Sequence, residues 1–267
     1  MYGGHPLAQL APSPAGLLTT SHAAVQAFRT RTLRTGGATL VLSGPLPGSR
    51  LLEAAEKAFA AVEHGGDVRV PAPAGPPPGG GTLRLRGEGA RENALILGFA
   101  AVSRHDDRFA AAELANLVVG GYFSARLLRL LRQELGYAYS VRSTLTTDPL
   151  GPALAIATSV RAEVTEATVA AIHDDLVRLG RDGPAEREFE HARTHLLGTT
   201  KLRQATQQGA TDLAFALARH GLPPHWLDDH HERLAQVTPE EVRDFVAAFL
   251  DPARAVAVVA GDGTDPR

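Results

Sequence analysis

The stretch Ser124-Ala-Arg-Leu-Leu-Arg-Leu-Leu-Arg-Gln-Glu-Leu-Gly-Tyr-Ala-Tyr-Ser140 contains the pattern that decides the fold of this chain. A serine that can cap a helix precedes the apolar spacing of an amphipathic helix at 125–135, and Gly136 is typical of a helix end. The tyrosine-rich residues of 137–146 then predict a strand. The stretch therefore predicts a helix that turns directly into a strand.

Two hydrogen-bond donors lie on either side of this predicted turn. Arg132 is on the helix and Tyr139 is seven positions later on the strand, so both side chains could converge on one carbonyl oxygen. The spacing alone favours a plainer interpretation, in which Arg132 pairs with a surface carboxylate near the helix C-terminus and Tyr139 is a half-buried strand aromatic. Ser140 is expected on the opposite strand face, with a structural role.

The amino-acid composition excludes some classes of protein and some kinds of binding partner. The 267 residues suit one large or two modest domains, and 44% hydrophobic with 21% charged residues is ordinary for a globular protein. The net charge of -2 argues against a nucleic-acid or anionic-membrane partner. No apolar run approaches the roughly 18 residues that cross a bilayer, and no signal peptide is recognisable. A cytoplasmic location is expected, and the Ala, Arg, Gly and Pro bias suggests a bacterial gene.

Certain catalytic groups are missing from the sequence. The chain has no cysteine, which excludes disulfides, thiolate metal sites and cysteine nucleophiles. Neither His-x-x-Glu-His nor His-Glu-x-x-His occurs, so neither common zinc-peptidase helix is present. The chain thus offers donors that can hold a peptide without an evident group that cuts it.

A run rich in proline and glycine at 71–81 predicts a linker between two parts of the chain. Residues 1–70 contain a predicted helix from Ser21 to Arg34, a buried strand at 38–43 and a helix from Arg50 to Val62. The inward positions expected on the first helix are Val25, Phe28 and Leu33. Because one strand between two helices cannot close a core, this part is expected to leave an apolar face exposed unless it is covered.

Residues 82–267 have the pattern of a whole domain. Strands are predicted at 82–86, 93–102, 137–146, 152–160 and 255–260. Helices are predicted at 107–119, 125–135, 163–180, 185–219, 224–235 and 239–250. Hairpin links and long C-terminal helices predict an α+β fold in which an antiparallel sheet packs against helices.

The order of these elements resembles the pitrilysin/insulinase-type metallopeptidases, a family that includes mitochondrial processing peptidase. The resemblance is carried by the following stretches: His105–Gly121, a helix ending in a glycine pair; Ser124–Val141, similar to the family's Ser-Arg-Leu to Leu-Ala-Tyr-Ser-Val block; Gly183–Arg193; Val237–Arg243 with the final Val-Val-Ala-Gly261; and, upstream, Gly4–Ala8 and Leu40–Gly44. It covers nearly the whole chain and implies the LuxS/processing-peptidase-like metallohydrolase fold.

The resemblance also implies a role for the chain. In the family the zinc ligands precede the segment that here is His5-Pro6, so residues 1–70 resemble the end of a first domain and 82–267 a complete, non-catalytic second domain. Arg132 and Tyr139 then correspond to residues that grip the peptide substrate near the scissile carbonyl. Zinc is expected in a partner chain or a missing N-terminal segment, with no cofactor in this chain. The alternatives are a catalytically dead scaffold of a larger complex, and self-association.

Glu188, His191 and His195 are the best candidate metal ligands. Offsets of three and four residues place all three on one face of the predicted helix, as a divalent-metal site could use. The favoured interpretation is a solvated helix face, since no supporting polar motif stands out. An active hydrolase that uses this cluster is the third and weakest hypothesis.

Overall fold

The computed structural model describes residues 4–8, 11–65, 72–74, 80–87 and 89–261. Within them, contacts divide the chain into two compact units. One unit contains Pro73–Thr199 and Leu227–Arg267, and the other contains His5–Ala72 and Thr200–Trp226. Residues 200–226 thus group with the N-terminal part, whereas the sequence predicts them within the second domain. Most of the predicted linker at 71–81 lies outside the described residues.

The N-terminal part contains short helices with polar caps. They are α1 (Pro14–Thr19), α2 (His22–Thr32) and α3 (Gly48–Phe59). The hydroxyls of Ser13 and Ser21 accept the backbone N–H groups of Gly16 and Ala24, which fixes where α1 and α2 begin. The helices predicted at 21–34 and 50–62 are present, and they end two and three residues earlier than predicted.

The predicted buried strand at 38–43 is wrong, since these residues form neither helix nor strand. No described strand pairs with them, so their backbone has no ladder to join. The expected inward positions are also wrong: Val25, Phe28 and Leu33 are more than half exposed. Not one residue of 11–65 is buried, as expected of a part that cannot close its own core.

The larger unit is built on a five-stranded sheet. Its strands are β1 (Gly81–Arg86), β2 (Glu92–Ala100), β3 (Ala138–Thr146), β4 (Ala153–Arg161) and β5 (Val256–Gly261). Their order is β1-β5-β2-β4-β3. The β2–β4, β2–β5 and β3–β4 pairs are antiparallel, as predicted, and only the edge pair β1–β5 is parallel.

The sheet has a buried face and an exposed face. Leu95, Leu97 and Phe99 alternate inward along β2, as a strand covered on one side requires. The helices are α4 (Phe109–Asn116), α5 (Arg126–Leu128), α6 (Thr165–Asp182), α7 (Glu186–Gln204), α8 (Gln207–His220), α9 (Trp226–Gln236) and α10 (Pro239–Phe249). Contacts link α6 with β4 and with α10, and α4 with β3 and with α10, so the core lies on one side of the sheet. The predicted α+β sheet-and-helix fold is confirmed.

The single helix predicted at 185–219 is wrong, because the chain breaks between α7 and α8. Thr206 has an extended backbone, with φ -110° and ψ 146°, and its hydroxyl accepts the N–H of Gly209. A threonine that caps the next helix cannot continue the preceding one, so the polar signal at this position outweighs the apolar spacing.

One apolar stretch corrects the expectation that no run could cross a bilayer. Phe109–Glu134 spans 26 residues, and an 18-residue window within it has a mean hydropathy of 1.2. That window is 56% buried inside the fold, and the chain becomes extended at Tyr122. The described contacts of α4 and α5 with β3 account for this apolar character as packing against the sheet.

Candidate functional site

A groove of about 380 Å³ lies where α5 turns into β3. The α5 helix continues through a wider π-helical turn, Arg129–Glu134, in which Leu135 N–H donates to the carbonyl of Leu130 at 3.0 Å. The groove is lined by Gly120, Gly121, Tyr122, Phe123, Leu128, Arg132, Tyr139, Ser140, Val141, Arg142 and Ala157. Inserted π-helical turns are rare in proteins, and those that occur are often found at functional sites. The turn therefore makes this corner of the fold a candidate site.

The turn at Gly136 brings the two predicted donors together. Gly136 has a φ of 64°, a conformation that glycine adopts without strain, and it ends the helix as predicted. The guanidinium carbon of Arg132 lies 4.7 Å from the centre of the Tyr139 ring and 5.9 Å from that of Phe123. The predicted cap at Ser124 is wrong, since the helix starts after Ala125, which makes no side-chain cap.

The surroundings of Arg132 and Tyr139 differ from those expected if Arg132 paired with a surface carboxylate and Tyr139 were a half-buried strand aromatic. Among the described residues, no carboxylate lies within ion-pair distance of Arg132. Tyr139 is 81% exposed and Phe123 is 75% exposed, so neither ring is a half-buried strand aromatic. Stacking on the two rings holds the guanidinium by cation–π attraction and leaves its N–H groups for an acceptor in the groove.

A β-bulge sets the direction of Tyr139 and Ser140. Ala138 pairs with Val160 and Val141 with Thr158, so the two residues between them oppose Ser159 alone. Ala138 and Val141 are buried, while Tyr139 and Ser140 are both exposed and both line the groove. The expectation that Ser140 lies on the opposite face is therefore wrong, because the extra residue shifts the alternation.

The hydroxyl of the buried Thr158 donates to the carbonyl of Ser140 at 2.7 Å and satisfies the bulge. Thr158→Val keeps the shape of the side chain and removes this donor, so we expect a loss of about 1 kcal/mol in the free energy of unfolding. Thr144→Val, on an exposed position of β3, is the matched control. Chemical denaturation of both variants measures the difference, and equal stabilities would show that the bulge does not depend on Thr158.

Close contact between a second π-helical turn, Leu117–Gly121, and β3 forms another wall of the groove. A Cβ on Gly120 would lie 2.9 Å from the backbone nitrogen of Ser143. Gly120→Ala should therefore push the turn from the strand and cost about 1–3 kcal/mol of unfolding free energy. Gly198→Ala, in open space on α7, should stabilise by about 0.5–1 kcal/mol. Thermal unfolding measures the stability of both variants. An unchanged stability of Gly120→Ala would contradict the tight packing of this turn against β3.

A buried ion network anchors the start of the same helix. The Arg126 guanidinium donates to Asp175 at 2.6 Å and to Glu188 at 3.1 Å, and all three side chains are at most 13% exposed. Burial by itself lowers the pKa of Arg126, but the hydrogen bond and charge of Asp175, with the charge of Glu188, outweigh it and leave the pKa raised. The charged Arg126 side chain therefore links α5 to α6 and α7 through two ion pairs.

The three candidate metal ligands do not form a metal site, although Glu188 and His191 line the same cavity. Glu188 is bound by Arg126, and the His195 ring stacks on Tyr122 at 5.1 Å. This shared cavity, of about 480 Å³, is also lined by Arg126 and Tyr122. Burial, then the charge of Glu188, raises the pKa of Tyr122. Over the part of the chain that the structure describes, no three His, Cys, Asp or Glu side chains are grouped to hold a metal. Glu188, His191 and His195 therefore do not fit a zinc site.

The structure is thus an α+β domain with an open groove at the corner between α5 and β3 and, in the described residues, no set of metal ligands. Residues 19–196 match the family model described as "Peptidase M16 inactive domain", and the chain belongs to this family. The resemblance to pitrilysin-type peptidases without their zinc-binding part is thereby confirmed.

Relatives and solved structures agree with this assignment. The chain is 28% identical over 214 residues to an uncharacterized zinc protease of Streptomyces coelicolor, covering 75% of this chain and 45% of the relative. It is 26% identical over 178 residues to an uncharacterized zinc protease of Bacillus subtilis, covering 64% and 42%. The chain thus spans less than half the length of these relatives.

The fold also matches solved structures at low sequence identity. A peptidase M16 inactive domain from Pseudomonas fluorescens has a TM-score of 0.89 at 24% identity, covering 100% of this chain and 64% of that one. A protease from Helicobacter pylori has a TM-score of 0.83 at 12% identity, covering 92% and 60%. At these identities the likeness shows the fold alone.

Proposed function

We propose that this chain is the non-catalytic, peptide-binding part of a zinc metallopeptidase of the processing-peptidase type. The observation that carries the proposal is the placement of Arg132 and Tyr139, stacked together in an open groove with no carboxylate paired to Arg132 in the described residues. Donors held without an internal acceptor are suited to a ligand that brings its own carbonyl oxygens.

The strand that forms one wall supports peptide binding by strand addition. β3 is at the edge of the sheet and pairs only with β4 among the described strands. An extended peptide beside it gains main-chain hydrogen bonds, and its side chains alternate between the groove and solvent. The Arg132 guanidinium and the Tyr139 hydroxyl then donate to one peptide carbonyl, which fixes the register of the bound peptide.

Cleavage in this proposal needs a zinc-bearing partner chain or a further segment of a longer protein. The described residues provide no metal-ligand group, and both curated relatives are zinc proteases more than twice as long as the segment they share. The role of this chain is to hold the peptide in an extended form and to present one carbonyl. The partner supplies the metal.

A two-part experiment tests the proposal. The purified chain is titrated with a blocked, extended decapeptide by calorimetry, and then assayed for cleavage with and without zinc, alone and with a zinc-bearing chain of the same family. We expect binding by the chain alone and cleavage only in the mixture. Zinc-dependent cleavage by the chain alone would overturn its non-catalytic assignment, and the absence of peptide binding would overturn the proposed role of the groove.

A scaffold function is the second candidate, and one observation favours it. Large apolar side chains are exposed along the helices and loops of residues 17–59, including Leu18, Phe28 and Phe59. Exposed apolar side chains on this scale are typical of a surface that another polypeptide covers. Light scattering and binding of a hydrophobic dye test this: association without any peptide binding favours the scaffold, and a monomer that binds no dye argues against it.

A further inference from the structure

We infer that the groove prefers peptides with an acidic side chain next to the gripped carbonyl, and that Arg142 determines this preference. The inference rests on the proposed function, because it names the class of peptide that the same groove would take. It concerns a residue outside the pair that holds the carbonyl, so the two can be tested separately.

The charge of the groove is the first argument. Its charged lining residues are Arg132 and Arg142, and no aspartate or glutamate of the described ranges lines it. Among the described residues, neither arginine is in an ion pair, although most other arginines of this unit have a carboxylate partner. The groove therefore has a local positive charge within a chain whose net charge is -2.

The position of Arg142 is the second argument. It is exposed on β3, two residues after Ser140, which corresponds to about 7 Å along the strand. Its partner across the sheet is Ala157, whose methyl group leaves the space above this position open. A peptide strand added on the other side of β3 would place a side chain directly beside Arg142, where an opposite charge is favourable.

The two arginines are not equivalent in this geometry. The Arg132 guanidinium lies over the rings of Phe123 and Tyr139, beside the bulge, where the proposed peptide carbonyl is held. Arg142 makes no such stack in the described structure and follows the bulge, on the regular part of the strand. A carboxylate side chain of the bound peptide, two residues along the strand from the carbonyl held by Arg132, would therefore lie beside Arg142.

Matched peptides and a matched variant test the inference. The probes are acetylated and amidated nonapeptides of alanine and threonine in which a single Glu is moved through every position, each with its Gln and Lys counterparts. Calorimetry on the whole chain should find one position at which Glu binds about fivefold tighter than Gln, with Lys weakest. Arg142→Gln should remove that difference, whereas Arg161→Gln, an exposed arginine on β4 outside the groove, should preserve it.

The outcomes separate this inference from the proposed function. If the peptides bind but Glu and Gln bind equally at every position, or if Arg142→Gln preserves the preference, the inference is overturned and the peptide-binding role stands. If no peptide of any charge binds, both fail. A Glu preference that is the same at all positions and disappears at high salt reflects general attraction and also contradicts a role for Arg142.

Discussion

Replacing Arg132 with alanine is expected to weaken peptide binding and to lower the rate of a reconstituted peptidase by about 100-fold. The loss follows from the removal of a donor to the peptide carbonyl, since one such donor contributes about 3 kcal/mol where charge develops on that oxygen. Tyr139→Phe removes only the hydroxyl and keeps the ring on which the guanidinium stacks. It should therefore lower the rate without displacing Arg132.

Arg129→Ala is the matched control for this prediction. Arg129 is one helical turn before Arg132, is exposed and pairs with Glu134 outside the groove. Its replacement should change binding less than twofold, since an exposed ion pair contributes little. Calorimetry for the chain alone, and kcat and KM for the mixture, measure all three variants beside an unfolding curve. Wild-type binding and rate in both Arg132→Ala and Tyr139→Phe would refute the proposed grip.

Arg126→Met is expected to lower the free energy of unfolding by about 3 kcal/mol, the largest effect on stability predicted for this chain. The variant leaves the carboxylates of Asp175 and Glu188 buried without their shared cation, and breaking a buried ion pair from one side is costly. Because the pKa of Arg126 is raised, its stabilising charge is present throughout the neutral range and is lost only as the pH rises through that folded-state pKa.

The same carboxylate provides the control for Arg126. Arg178 also donates to Asp175, at 2.6 Å, but its side chain is 53% exposed. Arg178→Met should therefore cost less than about 1 kcal/mol. Combining Arg126→Met with Asp175→Asn should recover part of the loss, because the amide has no charge to leave unpaired. Urea denaturation measures each variant, and equal effects at Arg126 and Arg178 would contradict the buried network.

Much of the larger unit follows from local patterns in the sequence. The apolar run of β2 predicts a strand, and Gly136 is a strong helix-end signal, so the turn that joins Arg132 to Tyr139 could be predicted. The bulge could not, because 138–141 contains no glycine or proline to mark an extra residue. The hydrogen bond that satisfies it comes from Thr158 on the neighbouring strand, 18 positions away.

The remaining differences between the sequence-based predictions and the structure come from contacts between residues that are far apart in the sequence. Glu188 has the spacing of a metal ligand on its own helix, but its partner Arg126 is 62 positions away, a distance that local spacing does not convey. One signal was present: Asp175 lies among the buried positions of α6, and an acidic residue on an apolar helix face predicts a cation opposite. The exposure of Phe123 has no comparable signal in the sequence.

The bulge at Tyr139 and Ser140 divides the edge strand β3 into two segments. The side-chain orientation of the residues before the bulge is set by the helical turn that precedes β3. The orientation of the residues after it is set by their pairing with β4. In the proposed peptide complex, substitutions at the outward positions Arg142 and Thr144 would therefore change the preferred peptide side chain without moving Arg132 or Tyr139.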